Sequence, residues 1–164
     1  LPPLPMEPHM PKHVLAKLEA ELKVLKQALL VDIPKEIASA ASQGDLSENA
    51  EYEQALAKRD IYQNKVVTME KRIAEVASLD ISRLPRDKVA YGTRVTLLDL
   101  DSEKEVTYKL VLPEELADHP EHLSISSPIG LALVGAVEGD EVKIKIPAGT
   151  KRFEVLTLVT VHQQ

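Results

Sequence analysis

The sequence predicts an α+β protein: an N-terminal antiparallel α-helical coiled-coil hairpin, then a small antiparallel sheet domain with a covering helix. Two long stretches of helical hydrophobic period, broken by one short polar turn, predict the hairpin. A switch to period-two alternation beyond residue 90 predicts the sheet. One capped apolar segment inside that second half predicts the covering helix.

Leu15, Leu18, Leu22, Leu25 and Leu29 recur at alternating spacings of three and four, and Ile33 and Ile37 follow at four. That is one apolar stripe along a helix beginning at Lys12. Pro34 lies within it and lacks the N–H that would bond the preceding turn. The stripe resumes at Ile37, so a kink near Ile33 is expected rather than a stop. Glycine and a polar run at Gly44-Asp45-Leu46-Ser47 supply what ends one helix and starts the next. In the second arm Tyr52, Ala55, Arg59, Tyr62, Val66, Met69, Ile73 and Val76 occupy one seam, with Arg59 its single charged member. Each arm is about 45 Å long at helical rise.

Beyond the hairpin, Val95 and Leu97 alternate with polar residues, as do Val106, Tyr108, Leu110 and Leu112. The same holds for Val142, Ile144 and Ile146, and for Phe153, Val155, Thr157, Val159 and Val161. Ser127 as N-cap, Pro128 at the first helical position and Gly135 past the end frame the short helix. Residues 1–11 contain five of the eleven prolines and read as a disordered tail. The expected organisation is therefore a tail over 1–11, a hairpin over 12–79 and a C-terminal domain over 80–164.

Composition narrows the function classes. A formal net charge of −6 argues against gripping nucleic acid through the chain's own surface. The absence of cysteine excludes disulfides and thiolate metal sites and fits a cytoplasmic protein. Aromatics make up 3% of the chain, too few for a base-stacking platform. No apolar run is long enough to span a bilayer, so no membrane role is expected. The five histidines are scattered, and His119 and His122, flanking Pro120, read as exposed loop. No Gly-rich phosphate loop or nucleophile elbow is present.

The turn itself is unusually acidic, with Asp45, Glu48, Glu51 and Glu53 close together. Asp45 and Glu48 fit two readings. Their spacing is that of a capping box, each side chain pairing with an orphan amide of the first turn. They also fit an incomplete hard-cation site, because Mg²⁺ takes oxygen ligands, keeps waters and needs only one or two carboxylates when another molecule supplies the rest.

Gly-Asp-Leu-Ser-Glu-Asn-Ala-Glu-Tyr at 44–52 resembles the hairpin-tip signature of the bacterial Gre transcript cleavage factors. Ser-Pro-Ile-Gly-x-Ala-Leu-x-Gly at 127–135, with Gly139-Asp140-x-Val142 and Pro147-x-Gly149, resembles that family's C-terminal signature. The resemblance extends from Lys12 onward. It implies an FKBP-like C-terminal domain docking at the rim of the RNA polymerase secondary channel, with the hairpin inserted through that channel. It implies that Asp45 and Glu48 are lent to the polymerase active site, where they help hold a second Mg²⁺ and the attacking water. A backtracked transcript is then cut near its 3′ end by the polymerase's own nuclease activity, and the factor is no enzyme itself. The nascent RNA and DNA are reached through the polymerase. Polymerase binding is carried over to Ser127, Pro128 and Ile129. Prolyl isomerisation is not expected, since it uses an aromatic-lined pocket and this domain has one Phe and two Tyr.

Four positions depart from the family pattern. Basic residues common before and after the tip are Ala41 and Leu56 here, and those usual after Gly130 and Gly135 are Leu131 and Ala136. Lys58 and Arg59 are the nearby cations that could face RNA, on a different face from position 56. Two rival readings follow: a secondary-channel regulator or inhibitor without cleavage activity, and a generic coiled-coil interaction module.

Overall fold

The structure, a computed structural model, describes residues 11–42, 46–117 and 119–164, with the backbone alone described for residues 46–48. Of the tail expected over residues 1–11, only Pro11 is described, and it is ordered: it is buried and its carbonyl accepts from Val14 and Leu15 N–H at the start of the first helix; residues 1–10 and Asp45 as a cap lie outside the described residues. The chain divides into two compact units, with the boundary between Leu79 and Asp80. Among the described residues no helix is long and apolar enough to cross a membrane.

The first unit consists of helices. One arm comprises α1 (Lys12–Gln27), a π-helical turn (Ala28–Asp32) and α2 (Ile33–Ala41). The other is α3 (Leu46–Ala77), 32 residues long. Lys26 pairs with Glu70 at 3.7 Å and Lys58 with Glu36 at 3.1 Å. Partners fall in one arm as they rise in the other, so the arms run antiparallel. Leu15, Leu18 and Ile33 of the first stripe are buried, as are Ala55, Val66 and Val76 of the second. Leu22, Leu25, Leu29 and Ile37 are half-buried.

The expected kink at Pro34 is realised as the π turn. Ile33 N–H donates to Ala28 O, five residues back, and Pro34 occupies the first turn of α2, where a missing N–H costs least. A π turn inserts one residue into the helical repeat. That insertion explains why the stripe changes from three-four spacing to Leu29, Ile33 and Ile37 at four and four. It keeps Ile33 inside, fully buried at 0% exposure.

The second unit is a five-stranded sheet: β1 (Arg94–Asp99), β2 (Glu105–Val111), β3 (His122–Ser124), β4 (Glu141–Ile146) and β5 (Gly149–Val159), in spatial order β3-β2-β1-β5-β4. The short helix α4 (Pro128–Leu133) covers it. Val95, Leu97, Leu110, Val142, Ile144, Phe153 and Val155 form the core with Leu133 of α4. Phe153 thus lies in the core rather than lining a pocket. Leu110 is fully buried, and Leu110→Ala is expected to remove about 2–5 kcal/mol of stability, read as a lower urea midpoint.

Three expectations change here. The sheet is mixed, because β3 pairs parallel with β2. His122, expected in a loop, begins that strand. The third change is in β5, where the register against β1 shifts between Thr96 and Leu97, whose partners are Thr157 and Val155. Leu156 is the extra residue, and a bulge flips which side chains face inward. Past it, Leu158 packs on the core and Thr160 is buried, whereas Thr157 and Val159 are exposed. Val161 lies in a 3₁₀ turn, Val161–Gln163, rather than in the strand.

Candidate functional site

The acidic turn joins the two arms of the hairpin. The first arm ends at Ala41, where Ser42 Oγ donates to Ser39 O at 2.8 Å. The second begins at Leu46, so Asp45 immediately precedes its first residue in the sequence and Glu48 is its third residue. Asp45 and the Glu48 side chain lie outside what the structure describes. Glu51 and Glu53, on the next turn, are exposed.

About 18 Å along α3 from its start, a charged cluster spans both arms. Lys58 Nζ donates to both Glu36 carboxylate oxygens, at 3.1 and 3.2 Å. The hydrogen bond to Glu36, set against desolvation, raises the Lys58 pKa from its ordinary value, with the nearby carboxylate charge adding to it. Two cations approach the Tyr62 ring, Lys58 Nζ at 5.9 Å and Lys65 Nζ at 4.9 Å from its centroid. Arg59 follows the seam, as its spacing requires. Its buried Nε makes no hydrogen bond and lies 3.6 Å from Asp60 Oδ1. Lys58 and Arg59 therefore have different surroundings: Lys58 faces a groove between the arms, and Arg59 is turned partly into the packing. Ala41 is exposed and Leu56 half-buried.

In the sheet unit the expected cap is present. Ser127 Oγ accepts from Gly130 N–H at 3.0 Å and donates to Ser124 O at 2.7 Å, which fixes the start of α4. Ile129 packs against the core, whereas Pro128 is exposed. Leu131 and Val134 are the other apolar side chains this helix leaves in solvent, 66% and 46% exposed. The sequence reading did not single them out for binding. Their spacing of three from Pro128 is the signal that would have found them.

The two loop-region histidines stack, with ring centroids 4.3 Å apart. His119 Nδ1 accepts from Glu121 N–H, and His122 Nδ1 faces the Glu115 carbonyl and so donates to it. Both Nδ1 atoms are thus engaged with backbone. On the same side Tyr91 donates to Glu115 at 2.8 Å. Burial, with that bond, pushes its phenol well above the ordinary range, so it is a neutral donor. Among the described residues no group of three or more His, Cys, Asp or Glu side chains could hold a metal.

Two family models match the chain: "Transcription elongation factor, N-terminal" over residues 9–77 and "Transcription elongation factor, GreA/GreB, C-term" over residues 84–159. A transcription elongation factor GreA of Hyphomonas neptunium is 41% identical over 144 residues, covering 88% of this chain and 92% of its own length. That of Rickettsia felis is 42% identical over 142 residues, covering 87% and 88%. Among solved structures, GreA factor homolog 1 of Thermus thermophilus is 22% identical with a TM-score of 0.39, covering 88% of this chain and 93% of its own. With both halves of its length matched, in order, the chain belongs to the GreA/GreB family of transcription elongation factors.

Proposed function

We propose that this chain is a transcript cleavage factor that enters the RNA polymerase secondary channel and completes the polymerase's own nuclease site. What supports the reading is the place of two carboxylates in the sequence, Asp45 just before α3 and Glu48 as its third residue, between two antiparallel arms that are each tens of ångströms long. Such a hairpin is stiff because its seam is packed along both arms.

The donor set suits a hard cation. Asp45 and Glu48 offer oxygen only, and two carboxylates are an incomplete set that leaves room for waters and for ligands from a second molecule. They would hold Mg²⁺ shared with the polymerase active site, where the ion neutralises developing charge and makes a bound water nucleophilic at neutral pH. The chain's own residues position: the hairpin seam fixes the tip, and α4, with Ser127, Pro128 and Ile129, is assigned to docking on the polymerase. Catalysis belongs to the polymerase, and nascent RNA and DNA are met inside it.

The test is a purified polymerase stalled in a backtracked complex, with RNA length followed after adding the protein with Mg²⁺. Shortening of the transcript near its 3′ end is expected. Binding without shortening would leave a secondary-channel regulator, and no binding a coiled-coil module of another kind. One observation favours the regulator: positions 41 and 56 carry no charge, and Lys58 is engaged by Glu36. If weak RNA contact limits the rate, Leu56→Lys is expected to raise cleavage several-fold in the same assay. An unchanged rate removes that explanation.

A further inference from the structure

β4 is an edge strand of the sheet, and its outer backbone row receives no hydrogen bond from any other described residue. Open edges are commonly spoiled for pairing by a bulge, a proline or a very short strand. β4 has none of these over its six residues, and its register against β5 runs unbroken from Glu141↔Glu154 to Ile146↔Gly149. One face is apolar, with Val142 and Ile144 in the core. The other carries Glu141, Lys143 and Lys145, all exposed. Charge on that face is unbalanced. Lys143 lies directly opposite Arg152 of β5, a like-charged pair that costs stability in a sheet. Arg152 is drawn to Asp101 at 3.6 Å and to Glu141 at 3.8 Å. Lys143 and Lys145 make no ion pair with any described residue.

We propose that the β4 edge takes an added strand from a partner protein, an extended segment whose acidic residues face Lys143 and Lys145 and alternate with apolar ones. The site is separate from the residues assigned to transcript cleavage and does not rest on that reading. Backbone hydrogen bonds supply affinity in strand addition, and side chains at alternate positions supply specificity. The apolar residues of the segment extend the core beside Val142 and Ile144. The net charge of −6 gives an anionic partner no long-range attraction, so recognition is confined to these two close pairs. Glu141 calls for a neutral or basic residue opposite it. A second copy of this chain fits less well. In the antiparallel self-pairing that matches Glu141 with Lys145, Lys143 falls against Lys143, a conflict that an acidic segment avoids.

The probe is an acetylated, amidated peptide of about eight residues in which valine alternates with glutamate. It is titrated into the isotope-labelled full chain and followed by NMR, with the valine–lysine peptide as its counterpart. Shifts centred on the amides of Glu141, Lys143 and Lys145 are expected with the glutamate peptide, and binding roughly tenfold weaker with the lysine peptide. Lys143→Glu combined with Lys145→Glu is expected to reverse that order. Both lysines are exposed, so the variant keeps the fold, which an unchanged spectrum away from β4 reports. A glutamate peptide N-methylated at its pairing positions is expected not to bind, because it cannot donate to the edge.

No binding of the glutamate peptide would overturn the proposal and make the two lysines guards that keep strands off an open edge. Equal binding of both peptides would overturn it as well, since charge would then decide nothing. Binding of the N-methylated peptide would reduce the contact to charge alone, with no strand added. Concentration-dependent self-association of the parent in sedimentation, with shifts on the same three amides, would make a second copy the occupant and exclude the acidic segment.

Discussion

Replacing Gly130 by alanine is expected to unseat α4 and destabilise the sheet unit by about 2–4 kcal/mol. An added Cβ would sit 2.1 Å from Ser124 O and 3.1 Å from Ile125 Cα, both backbone atoms, and 3.0 Å from Ser127 Oγ. Backbone cannot swing aside as a side chain can. Helix propensity argues the other way, favouring alanine over glycine by about 1 kcal/mol, and the clash outweighs it. Gly135 is the control. It has φ +89° and nothing within 4 Å of an added Cβ, so Gly135→Ala carries only the left-handed backbone cost of roughly 1–2 kcal/mol. Urea titration of the two variants decides the matter. A Gly130→Ala protein as stable as the parent would mean that α4 is not held as tightly as the structure places it.

Exchanging Asp45 for asparagine, or Glu48 for glutamine, is expected to slow transcript cleavage by about 100-fold or more, the loss of several kcal/mol of charge stabilisation. The choice of substitution separates the two readings of these carboxylates. Asparagine caps a helix about as well as aspartate, so a site that only capped would lose almost nothing in Asp45→Asn. Glutamine at Glu48 keeps the capping-box geometry and gives up a dipole interaction of about 0.3–1 kcal/mol. Retained α-helical circular dichroism and retained polymerase binding, together with lost cleavage, would assign both groups to the reaction. Cleavage near the parent rate in both variants would leave them as helix-end residues and remove the mechanism.

The histidine pair and β5 illustrate how far a local pattern can be trusted. His122 reads as loop because β3 is three residues long, too short for alternation to register, and is held by parallel pairing with β2. In β5 the alternation is correct through Val155 and reversed after Leu156. A bulge leaves no mark in hydrophobicity when the residues on both sides are apolar, as Leu156, Leu158 and Val159 are. The π turn before Pro34 did leave a mark, in the change from three-four to four-four spacing, though spacing alone read it as a kink.

The candidate site divides in the same way. The acidic tip and the Ser127 cap are contiguous in the chain and were visible as strings of residues. The partner of Lys58 was not, since Glu36 lies 22 positions away on the opposite arm, and only the antiparallel register brings the two within 3.1 Å.

By itself, the sequence determined the two long arms, the apolar seam, the capped start of α4 and most of the strands. These rest on period, turn chemistry and capping, which act between residues a few positions apart. Only the tertiary structure decided the parallel edge strand, the phase flip in β5, the exposure of Leu131 and Val134, and the bond that holds Lys58. Each of these depends on what a residue meets from a distant part of the chain, and pairing across that distance is set by the packing of whole elements rather than by any local pattern.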